Sequence, residues 1–312
     1  MKKRPLGHSD LEVSPFCFGG NVLGWTVDAE TSFRLLDAFL GAGFNFIDSA
    51  DVYARWQPGS TGGDSERVLG DWLAARRNRD QVVLVTKVGG PMPGGKGLSA
   101  AYIQQAVEAS LSRLKTDYID LYLSHHDDPE TPVEETLQAY ADLIQQGKVR
   151  YIGASNFTAE RLQQALEVSR KNSLPRYQAL QPQYSLMERS IEADLLPLCQ
   201  REGLGVFGYY SLASGFLTGK YRTEADLGKS VRGRMLKGYL GERGQRVLKA
   251  LDDVSARTGA TLAQISLAWL MDRPGVTAPI ASASNLDQLS ELLKAVELKL
   301  SPEDMELLDK AS

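Results

Sequence analysis

The sequence predicts an α/β protein folded as a (β/α)₈ TIM barrel, with an N-terminal β-hairpin and long loops after strands two and seven. Eight short apolar runs alternate along the chain with amphipathic helices. Each run is apolar almost throughout, which is typical of parallel strands that are buried on both faces. Eight such repeats favour a closed barrel over an open doubly wound sheet.

The apolar runs are short and similar in length. An N-terminal hairpin precedes them, with strands at 4–6 and 11–13 around a turn at 7–10. The barrel strands are predicted at 16–18, 44–47, 82–85, 118–123, 149–152, 177–180, 205–207 and 276–280. Since no composition shift or flexible linker divides the chain, we expect one domain over 1–312.

Capping signals place several helices between these strands. Ser99 is a predicted N-cap for a helix with a regular apolar stripe. The sequence Thr-Pro-Val-Glu at 131–134 predicts a capping box, with proline at the first helical position. Two helices are predicted to close the chain, over 286–297 and, capped at Ser301, over 303–310.

Two segments are too long to be simple connections between strands and helices. One is 54–63, which contains glycines and Trp56, and the other is 218–242, which is rich in Lys, Arg and Gly. Insertions of this size after barrel strands are usually functional loops. We therefore expect both segments to border a binding site.

Composition bounds the possible functions. The chain of 312 residues is 43% hydrophobic and 24% charged, as expected of an ordinary globular protein, and its net charge is −4. That charge predicts no nucleic-acid partner, and no run approaches a membrane span. Cys17 and Cys199 lie in apolar runs and are predicted to be buried thiols. Without a signal-peptide pattern, we expect a cytoplasmic protein.

Charged and proton-carrying groups stand where three successive predicted strands end. Asp48 follows the second strand, Lys87 the third and His125 the fourth, and Tyr53 lies five residues beyond Asp48. A carboxylate at the end of a buried strand is costly unless it is paired or used in catalysis. The alternative for this segment alone is a helix-capping aspartate followed by a loop tyrosine.

These four groups together suit the reduction of a carbonyl. A tyrosine with its ordinary pKa of about 10 is a poor acid at neutral pH. Lys87 is expected to lower the pKa of Tyr53, while Asp48 keeps the lysine charged and in place. Tyr53 then donates a proton to the developing alkoxide, and His125 hydrogen-bonds the same oxygen.

The remaining strand ends offer a place for a hydride source opposite the carbonyl. Amide and hydroxyl groups suited to a carboxamide follow strands five and six, and a tyrosine that offers a flat face follows strand seven. These residues are Ser155, Asn156, Gln181 and Tyr209. Phosphate-binding candidates are the basic residues of the long loop and the start of a late helix; they are Lys220, Arg232, Arg234 and Ser284. From charge alone, a solvated loop is an equally good explanation for the basic residues.

Several segments together resemble the aldo-keto reductase superfamily, and the resemblance covers essentially the whole chain. The matching segments include Gly-Phe-Asn-Phe-Ile-Asp-Ser-Ala-Asp-Val-Tyr at 43–53 and Gly-Lys-Val-Arg-Tyr-Ile-Gly-Ala-Ser-Asn-Phe at 147–157. The others are 86–87, 118–125 and 215–221. The resemblance extends to the branch that includes potassium-channel β-subunits. It implies a (β/α)₈ barrel that binds NADPH without a Rossmann domain and acts on a small-molecule carbonyl substrate.

The resemblance also implies roles for particular residues. The family's catalytic tetrad falls on Asp48, Tyr53, Lys87 and His125. The resemblance implies cofactor contacts for residues at the ends of several predicted strands. It also implies contacts in the loop after strand seven and near the start of a late helix. They are Gly20, Asn21, Asp48, Ser155, Asn156, Gln181, Tyr209, Tyr210, Ser211, Leu212, Gly215, Leu217, Lys220, Arg232, Ser284, Gln288 and Glu291. Lys220 and Arg232 are the expected partners of the 2′-phosphate.

The chain departs from the family pattern at three positions. Tyr-Ser-Leu at 210–212 replaces a frequent Ser-Pro-Leu, Leu292 replaces an asparagine, and His126 replaces an arginine. None of these changes touches the tetrad. The predicted substrate pocket is lined by Trp25, Trp56, Met92 and His126, which suggests an apolar or aromatic carbonyl.

Three other patterns suggest different chemistry and are explained more simply. Gly-x-Gly-x-x-Gly at 203–208 follows a predicted helix and leads into a strand, the reverse of the dinucleotide-binding order. Glu134 and Glu135 are acids of a first helical turn. His125 and His126 are adjacent and expected to point in different directions, so no metal site is predicted.

Two rival functions stay open. The first is a redox-sensing accessory module that binds NADPH with little turnover, as some members of the resembled family do. The second is a Schiff-base aldolase that uses Lys87, since barrels host such lysines. The sequence predicts neither the particular substrate nor the oligomeric state.

Overall fold

The structure, a computed structural model, describes residues 1–229 and 233–312. An antiparallel hairpin of β1 (Arg4–Pro5) and β2 (Glu12–Val13) precedes a closed barrel of eight strands. Neighbouring barrel strands are parallel and follow chain order, and the last strand pairs with the first. The barrel strands are β3 (Cys17–Gly19), β4 (Phe46–Asp48), β5 (Val83–Val88), β6 (Ile119–Ser124), β7 (Val149–Ser155), β8 (Tyr177–Gln181), β9 (Gly205–Gly208) and β10 (Val276–Ala281).

Helices surround the barrel. In chain order they are α1 (Ala29–Gly41), α2 (Asp64–Arg76), α3 (Ala100–Leu114), α4 (Val133–Gln145), α5 (Ala159–Asn172), α6 (Leu195–Glu202), α7 (Glu242–Thr258), α8 (Leu262–Met271), α9 (Leu286–Leu293) and α10 (Pro302–Ala311). The predicted long loop at 218–242 carries short 3₁₀ segments at Glu224–Lys229 and Gly233–Tyr239. The segment at 203–208 joins the end of α6 to β9, so it does not have the strand–glycine–helix order of a dinucleotide motif.

The predicted barrel and hairpin are confirmed, and the strands extend further toward their C-terminal ends than the apolar runs do. The run at 82–85 belongs to a strand that continues through Lys87, and the run at 149–152 to one that continues through Ser155. A ladder pairs backbone groups, which are the same in polar and apolar residues. The polar residues therefore lie on the strands themselves, where the ladder holds them rigidly.

Helix termini confirm two predictions and correct two. The side chains of Ser99 and Ser301 accept hydrogen bonds from backbone amides of α3 and α10, as predicted. The predicted capping box at 131–134 is wrong, because the Thr131 hydroxyl donates to Asp128 Oδ2 at 2.8 Å and α4 begins at Val133 without a side-chain cap. The helix predicted over 286–297 ends earlier, since α9 tightens into a 3₁₀ turn after Leu293.

The hairpin closes the N-terminal end of the barrel. Leu6 and Leu11 pack in the barrel interior in one cluster with Phe46 and Phe207. Gly7 makes this approach possible, because its φ is +62° and a Cβ there would lie 2.2 Å from the backbone oxygen of Gln178. The plugged end leaves chemistry to the opposite, C-terminal ends of the strands.

Two composition-based predictions can be compared with the structure. Cys17 and Cys199 are buried free thiols, as predicted. Among the described residues, none of the helices has both the length and the apolar character needed to cross a bilayer.

Candidate active site

The three polar groups predicted at successive strand ends converge at the C-terminal end of the barrel. Asp48 is the last residue of β4, Lys87 lies near the end of β5, and His125 follows β6 directly. The backbone amide of His125 donates to the carbonyl of Val88 at 2.8 Å, which holds this histidine beside β5. Parallel strands thus bring an acid, a cation and an imidazole to one edge.

Lys87 is the centre of the site. Its ammonium donates to Asp48 Oδ1 and Oδ2 at 2.7 and 2.9 Å, to the carbonyl of Ser49 at 2.7 Å and to the Tyr53 hydroxyl at 2.8 Å. The side chain is fully buried. Burial lowers the pKa of Lys87, and the charge of Asp48 opposes that shift. Asp48 is therefore the counter-ion that makes a buried ammonium tolerable.

Tyr53 bridges the lysine and the aspartate. Its hydroxyl donates to Asp48 Oδ2 at 3.0 Å while it accepts from Lys87. The lowered pKa expected for this tyrosine is wrong: burial and the neighbouring charge of Asp48 raise the pKa of Tyr53 well above 10. Asp48 was expected only to keep Lys87 charged, whereas its carboxylate also accepts from Tyr53 directly and disfavours the phenolate. Tyr53 is consequently a protonated phenol at neutral pH.

His125 lies beside Tyr53 and has one nitrogen that is not engaged in a hydrogen bond with the described residues. Its Nδ1 is buried and has no hydrogen-bond partner among the described residues. Burial and the charge of Lys87 hold the pKa of His125 well below 6.5, so the ring is neutral at neutral pH. A neutral imidazole carries one N–H donor and one acceptor. The ring lies edge-on to Tyr53, with 6.2 Å between centroids.

The two adjacent histidines do not diverge as expected. The rings of His125 and His126 are stacked, with centroids 4.9 Å apart and planes 13° apart. The premise that neighbouring residues point in different directions is therefore wrong here. His126 is exposed, so the stacked pair extends from His125 to the surface. Over 1–229 and 233–312, no group of three or more metal-ligating side chains is assembled.

The amide and hydroxyl groups predicted to hold a carboxamide form one connected network. Ser155 Oγ donates to the carbonyl of Gln181 at 2.8 Å, and Gln181 Nε2 donates to Asp48 Oδ1 at 2.7 Å. Asn156 Nδ2 donates to the carbonyl of His125 at 2.8 Å and its Oδ1 accepts from the Tyr209 hydroxyl at 2.6 Å. The structure thus connects four of the predicted cofactor residues to the tetrad itself.

The segment after β9 follows an unusual backbone path. Tyr210, Ala213 and Ser214 have φ values of +54°, +47° and +56°, and Gly215 has +96°. Non-glycine residues with positive φ are uncommon and often mark functional sites. The Ser211 hydroxyl fixes the start of this segment, since it donates to the carbonyl of Gly208 and accepts from the amide of Ile280.

The predicted contacts on this segment are unequally exposed. Tyr210 is 40% exposed and Leu212 is half-buried, whereas Leu217 is fully buried in the hydrophobic core. Lys220 is exposed, and its ammonium lies 5.0 Å from the centroid of the Tyr221 ring. Arg232 lies outside the described residues.

The remaining predicted cofactor residues lie on either side of the seam where β10 meets β3. The Ser282 hydroxyl donates to the Gly19 carbonyl and to Asn21 Oδ1, both at 2.7 Å. Gly20 follows β3 next to Asp48, whose backbone oxygen would lie 2.6 Å from a Cβ at that position. At the start of α9, the amide and hydroxyl of Ser284 both donate to Gln288 Oε1. Glu291, one turn further along, accepts from Gln264 through its backbone carbonyl.

The predicted pocket residues Trp25 and Trp56 lie together beside Tyr53. Their ring centroids lie 5.2 Å apart in an edge-on arrangement, and Trp56 is 6.1 Å from Tyr53. With His125 and His126 on the other side, Tyr53 lies within a continuous series of aromatic rings. The other predicted pocket residue, Met92, lies beside Gly62 in the loop before α2.

Sequence reasoning assigned no role to Asp51, although it lies between Asp48 and Tyr53. Asp51 is buried, and neither of its carboxylate oxygens has a hydrogen-bond partner among the described residues. Nearby, Glu66 is buried between Thr86 and Arg113, which donate to its two oxygens at 2.6 Å each. The one sign of Asp51 in the sequence is that segment 43–53 contains a second acid, three residues after Asp48.

A recess unrelated to these groups lies elsewhere on the surface. It measures about 980 Å³ and is bordered by the N-terminal segment, α1 and α9. Phe44 and Asp272, which precede β4 and β10, line it, so it lies away from the strand C-terminal ends. The candidate active site is therefore identified by its cluster of polar side chains and not by the volume of a surface recess.

The fold and this constellation define a barrel oxidoreductase, and comparisons with known proteins agree. The model of the aldo/keto reductase family matches residues 15–312. The chain belongs to the aldo/keto reductase family, which confirms the resemblance found in the sequence.

The similar proteins include named oxidoreductases and a protein named as a potassium channel subunit. The oxidoreductase YrpG of Bacillus subtilis is 35% identical, over 99% of this chain and 95% of the relative. Norsolorinic acid reductase of Aspergillus flavus is 34% identical, over 96% of this chain and 78% of the relative. A probable voltage-gated potassium channel subunit beta of Oryza sativa is 34% identical, over 99% and 96% of the two chains.

Proposed function

We propose that the protein reduces the carbonyl group of aldehydes or ketones to an alcohol and uses NADPH as its cofactor. The observation that carries this proposal is the position of Tyr53, whose hydroxyl lies 2.8 Å from Lys87 Nζ and 3.0 Å from Asp48 Oδ2. A phenol that is protonated at neutral pH, and whose conjugate base would have a cation beside it, is suited to general-acid catalysis.

The residues around the strand ends fit a nicotinamide cofactor. Asn156 and Gln181 place amide groups beside His125 and Asp48. Tyr209 adds an aromatic ring, and its hydroxyl donates a hydrogen bond to Asn156 Oδ1. The positive φ values at Ser214 and Gly215 suit a backbone concavity for an anion, with the exposed Lys220 next to it. A nicotinamide cofactor, when bound, supplies the hydride for the carbonyl carbon.

The chain's own residues control the proton. As negative charge develops on the carbonyl oxygen, Tyr53 donates its proton to that oxygen. The phenolate that this leaves is stabilised by the Lys87 ammonium, which already donates to the Tyr53 oxygen. Asp48 keeps Lys87 charged despite full burial. The raised pKa of Tyr53 is compatible with this role, because an alkoxide is a much stronger base than a phenolate.

His125 is proposed to orient the carbonyl. Its low pKa keeps the ring neutral, and its buried Nδ1 has no partner among the described residues. The ring therefore has hydrogen-bonding capacity for a carbonyl oxygen placed near Tyr53. The surrounding aromatic rings of Trp25 and Trp56 favour an apolar or aromatic carbonyl compound as the substrate.

The decisive test replaces Tyr53 by phenylalanine. Y53F removes the proton donor and keeps the ring, so kcat for NADPH-dependent reduction should fall by about 10²–10⁴-fold while NADPH affinity stays close to that of the wild type. Y151F is the control, because the Tyr151 hydroxyl lies beside the hairpin, where it accepts from the amide of Asp10. Wild-type turnover in Y53F would refute the mechanism.

The preference for NADPH rests on Lys220, which is exposed next to the positive-φ residues after β9, and on Arg232. A cation that contacts the 2′-phosphate should strengthen NADPH binding and leave NADH binding unchanged. Fluorescence titration of the K220A variant should therefore show weaker affinity for NADPH only. Equal affinity of the wild type for both dinucleotides would contradict this assignment.

A second candidate is a cofactor-binding accessory module with little turnover. It is favoured by the relatives named as potassium channel β-subunits, such as that of Oryza sativa. Tight NADPH binding without oxidation across a broad panel of aldehydes and ketones would support this candidate. The aldolase alternative is not favoured, because Lys87 is fully buried and its ammonium is engaged with four oxygen atoms.

A further inference from the structure

Asp51 occupies an unusual environment for an acid. It is buried, both of its carboxylate oxygens lack a hydrogen-bond partner among the described residues, and the buried hydroxyl of Tyr122 on β6 lacks one too. An unpaired carboxylate is far more costly to bury than a neutral carboxylic acid. The surroundings therefore favour the protonated form of Asp51.

The charged and titratable groups around Asp51 come from every element packed against it. They are Glu66 on α2, Arg113 and Tyr102 on α3, Lys87 on β5, Tyr122 on β6 and Tyr140 on α4. Glu66 and Arg113 are already paired with each other at 2.6 Å. Burial, together with the charge of Glu66, raises the pKa of Asp51 to about 8, and Arg113, the nearby backbone amide of Val52 and Lys87 oppose that shift.

The backbone of the same segment connects Asp51 to the catalytic groups. The amide of Asp51 donates to the carbonyl of Lys87 at 3.5 Å, and its carbonyl accepts from the amide of Gly63 at 2.6 Å. Two residues earlier, the carbonyl of Ser49 accepts from the Lys87 ammonium, and two residues later lies Tyr53. A displacement of Asp51 therefore moves the peptide that places the Tyr53 hydroxyl.

We propose that Asp51 is a positioning residue that holds segment 49–53 in place only as a neutral carboxylic acid, so that its ionisation releases the segment and displaces Tyr53. The expected effect on kcat rests on the proposed reductase function, whereas the expected release of segment 49–53 does not. Ionisation would create an unpaired charge beside the Glu66 carboxylate. The segment relieves that cost by moving Asp51 toward water.

The structural test is hydrogen exchange of 49–53 followed by mass spectrometry from pH 6 to 10, corrected for intrinsic exchange rates. Protection of this segment in the wild type should fall above pH 8, whereas in D51N it should not change with pH. D71N is the matched control, because Asp71 on α2 forms an exposed ion pair with Lys115, the residue that follows α3. Identical pH dependence in wild type and D51N would overturn the proposal.

The kinetic test compares pH profiles of kcat and KM for NADPH-dependent reduction. With a pKa near 8, the neutral fraction of Asp51 and hence wild-type kcat should fall about tenfold between pH 7 and pH 9. D51N should keep its kcat over this range with an unchanged KM for NADPH, while D71N follows the wild type. An alkaline fall in D51N that equals that of the wild type would refute the proposal.

Two further outcomes are distinguishable. If no variant reduces any carbonyl, the proposed function fails while hydrogen exchange still decides the role of Asp51. If D51N does not fold, E66Q provides the measurement, since removing the Glu66 charge should move the alkaline transition in hydrogen exchange to lower pH. No movement in folded E66Q would overturn the proposal.

Discussion

Replacing Asp48 by asparagine tests how strongly the buried ion pair holds the site together. The side chains of Lys87 and Asp48 are 0% and 3% exposed, and their charged atoms are 2.7 Å apart. Removing one partner of a buried pair leaves an uncompensated charge, which costs about 3–5 kcal/mol. We therefore expect D48N to lower the free energy of unfolding by about 3–5 kcal/mol at pH 7, as measured by urea denaturation.

The matched control is D71N, which breaks an ion pair of similar length between exposed side chains. Asp71 and Lys115 are 55% and 53% exposed. Exposed pairs contribute about 0–1 kcal/mol, so D71N should lie within about 1 kcal/mol of the wild type. If D48N and D71N lower the free energy of unfolding equally, the buried ion pair does not stabilise the site more than an exposed pair does.

The stability of D48N should also depend on pH in a defined direction. Burial already lowers the pKa of Lys87 with Asp48 present, and the loss of that counter-charge lowers it further. Folded D48N then binds fewer protons at Lys87 than the unfolded chain does. Stability rises with pH where the unfolded state binds more protons, so D48N should gain stability as pH rises toward about 10.4, the ordinary lysine value. A fall in stability over that range would refute the account.

The other predictions concern the pocket and the hairpin. Trp56 is 50% exposed, so W56A should leave stability unchanged, yet kcat/KM for aromatic aldehydes relative to aliphatic ones should fall by about 2- to 12-fold, the equivalent of one aromatic pair. An unchanged ratio would remove Trp56 from the pocket. G7A should lower Tm in a calorimetric scan, because φ is +62° and the new Cβ would lie 2.2 Å from the Gln178 oxygen. A Tm equal to that of the wild type would mean that the hairpin shifts without cost.

The fold and the location of the site could be predicted because both depend on the strand pattern. Asp48, Lys87 and His125 follow apolar runs, and parallel strands bring such residues to one end of a barrel. The structure places Lys87 Nζ 2.7 Å from Asp48, as the sequence argument requires. Which residues meet at the strand ends can thus be predicted from the sequence, because their positions follow from the barrel topology and not from the conformations of individual side chains.

The electrostatics could not be predicted in the same way. The pKa of Tyr53 was expected to fall because of Lys87, yet the carboxylate of Asp48 and burial raise it. The balance depends on distances within the cluster, which the sequence does not contain. The stacking of His125 on His126 depends likewise on how the chain turns after β6, where the strand alternation no longer applies.

Asp48 and Asp51 show why a short motif can carry two opposite requirements. Asp48 belongs to β4 and meets Lys87 Nζ, so the ionised form gains a counter-ion. Three residues later Asp51 has no hydrogen-bond partner for either carboxylate oxygen among the described residues, and the charge of Glu66 opposes its ionisation, so the neutral form is favoured. Environments that push the protonation of like groups apart are a recurrent basis for acid–base function. Tyr53 follows both acids on one short peptide, so its hydroxyl is placed correctly only while one is charged and the other is not.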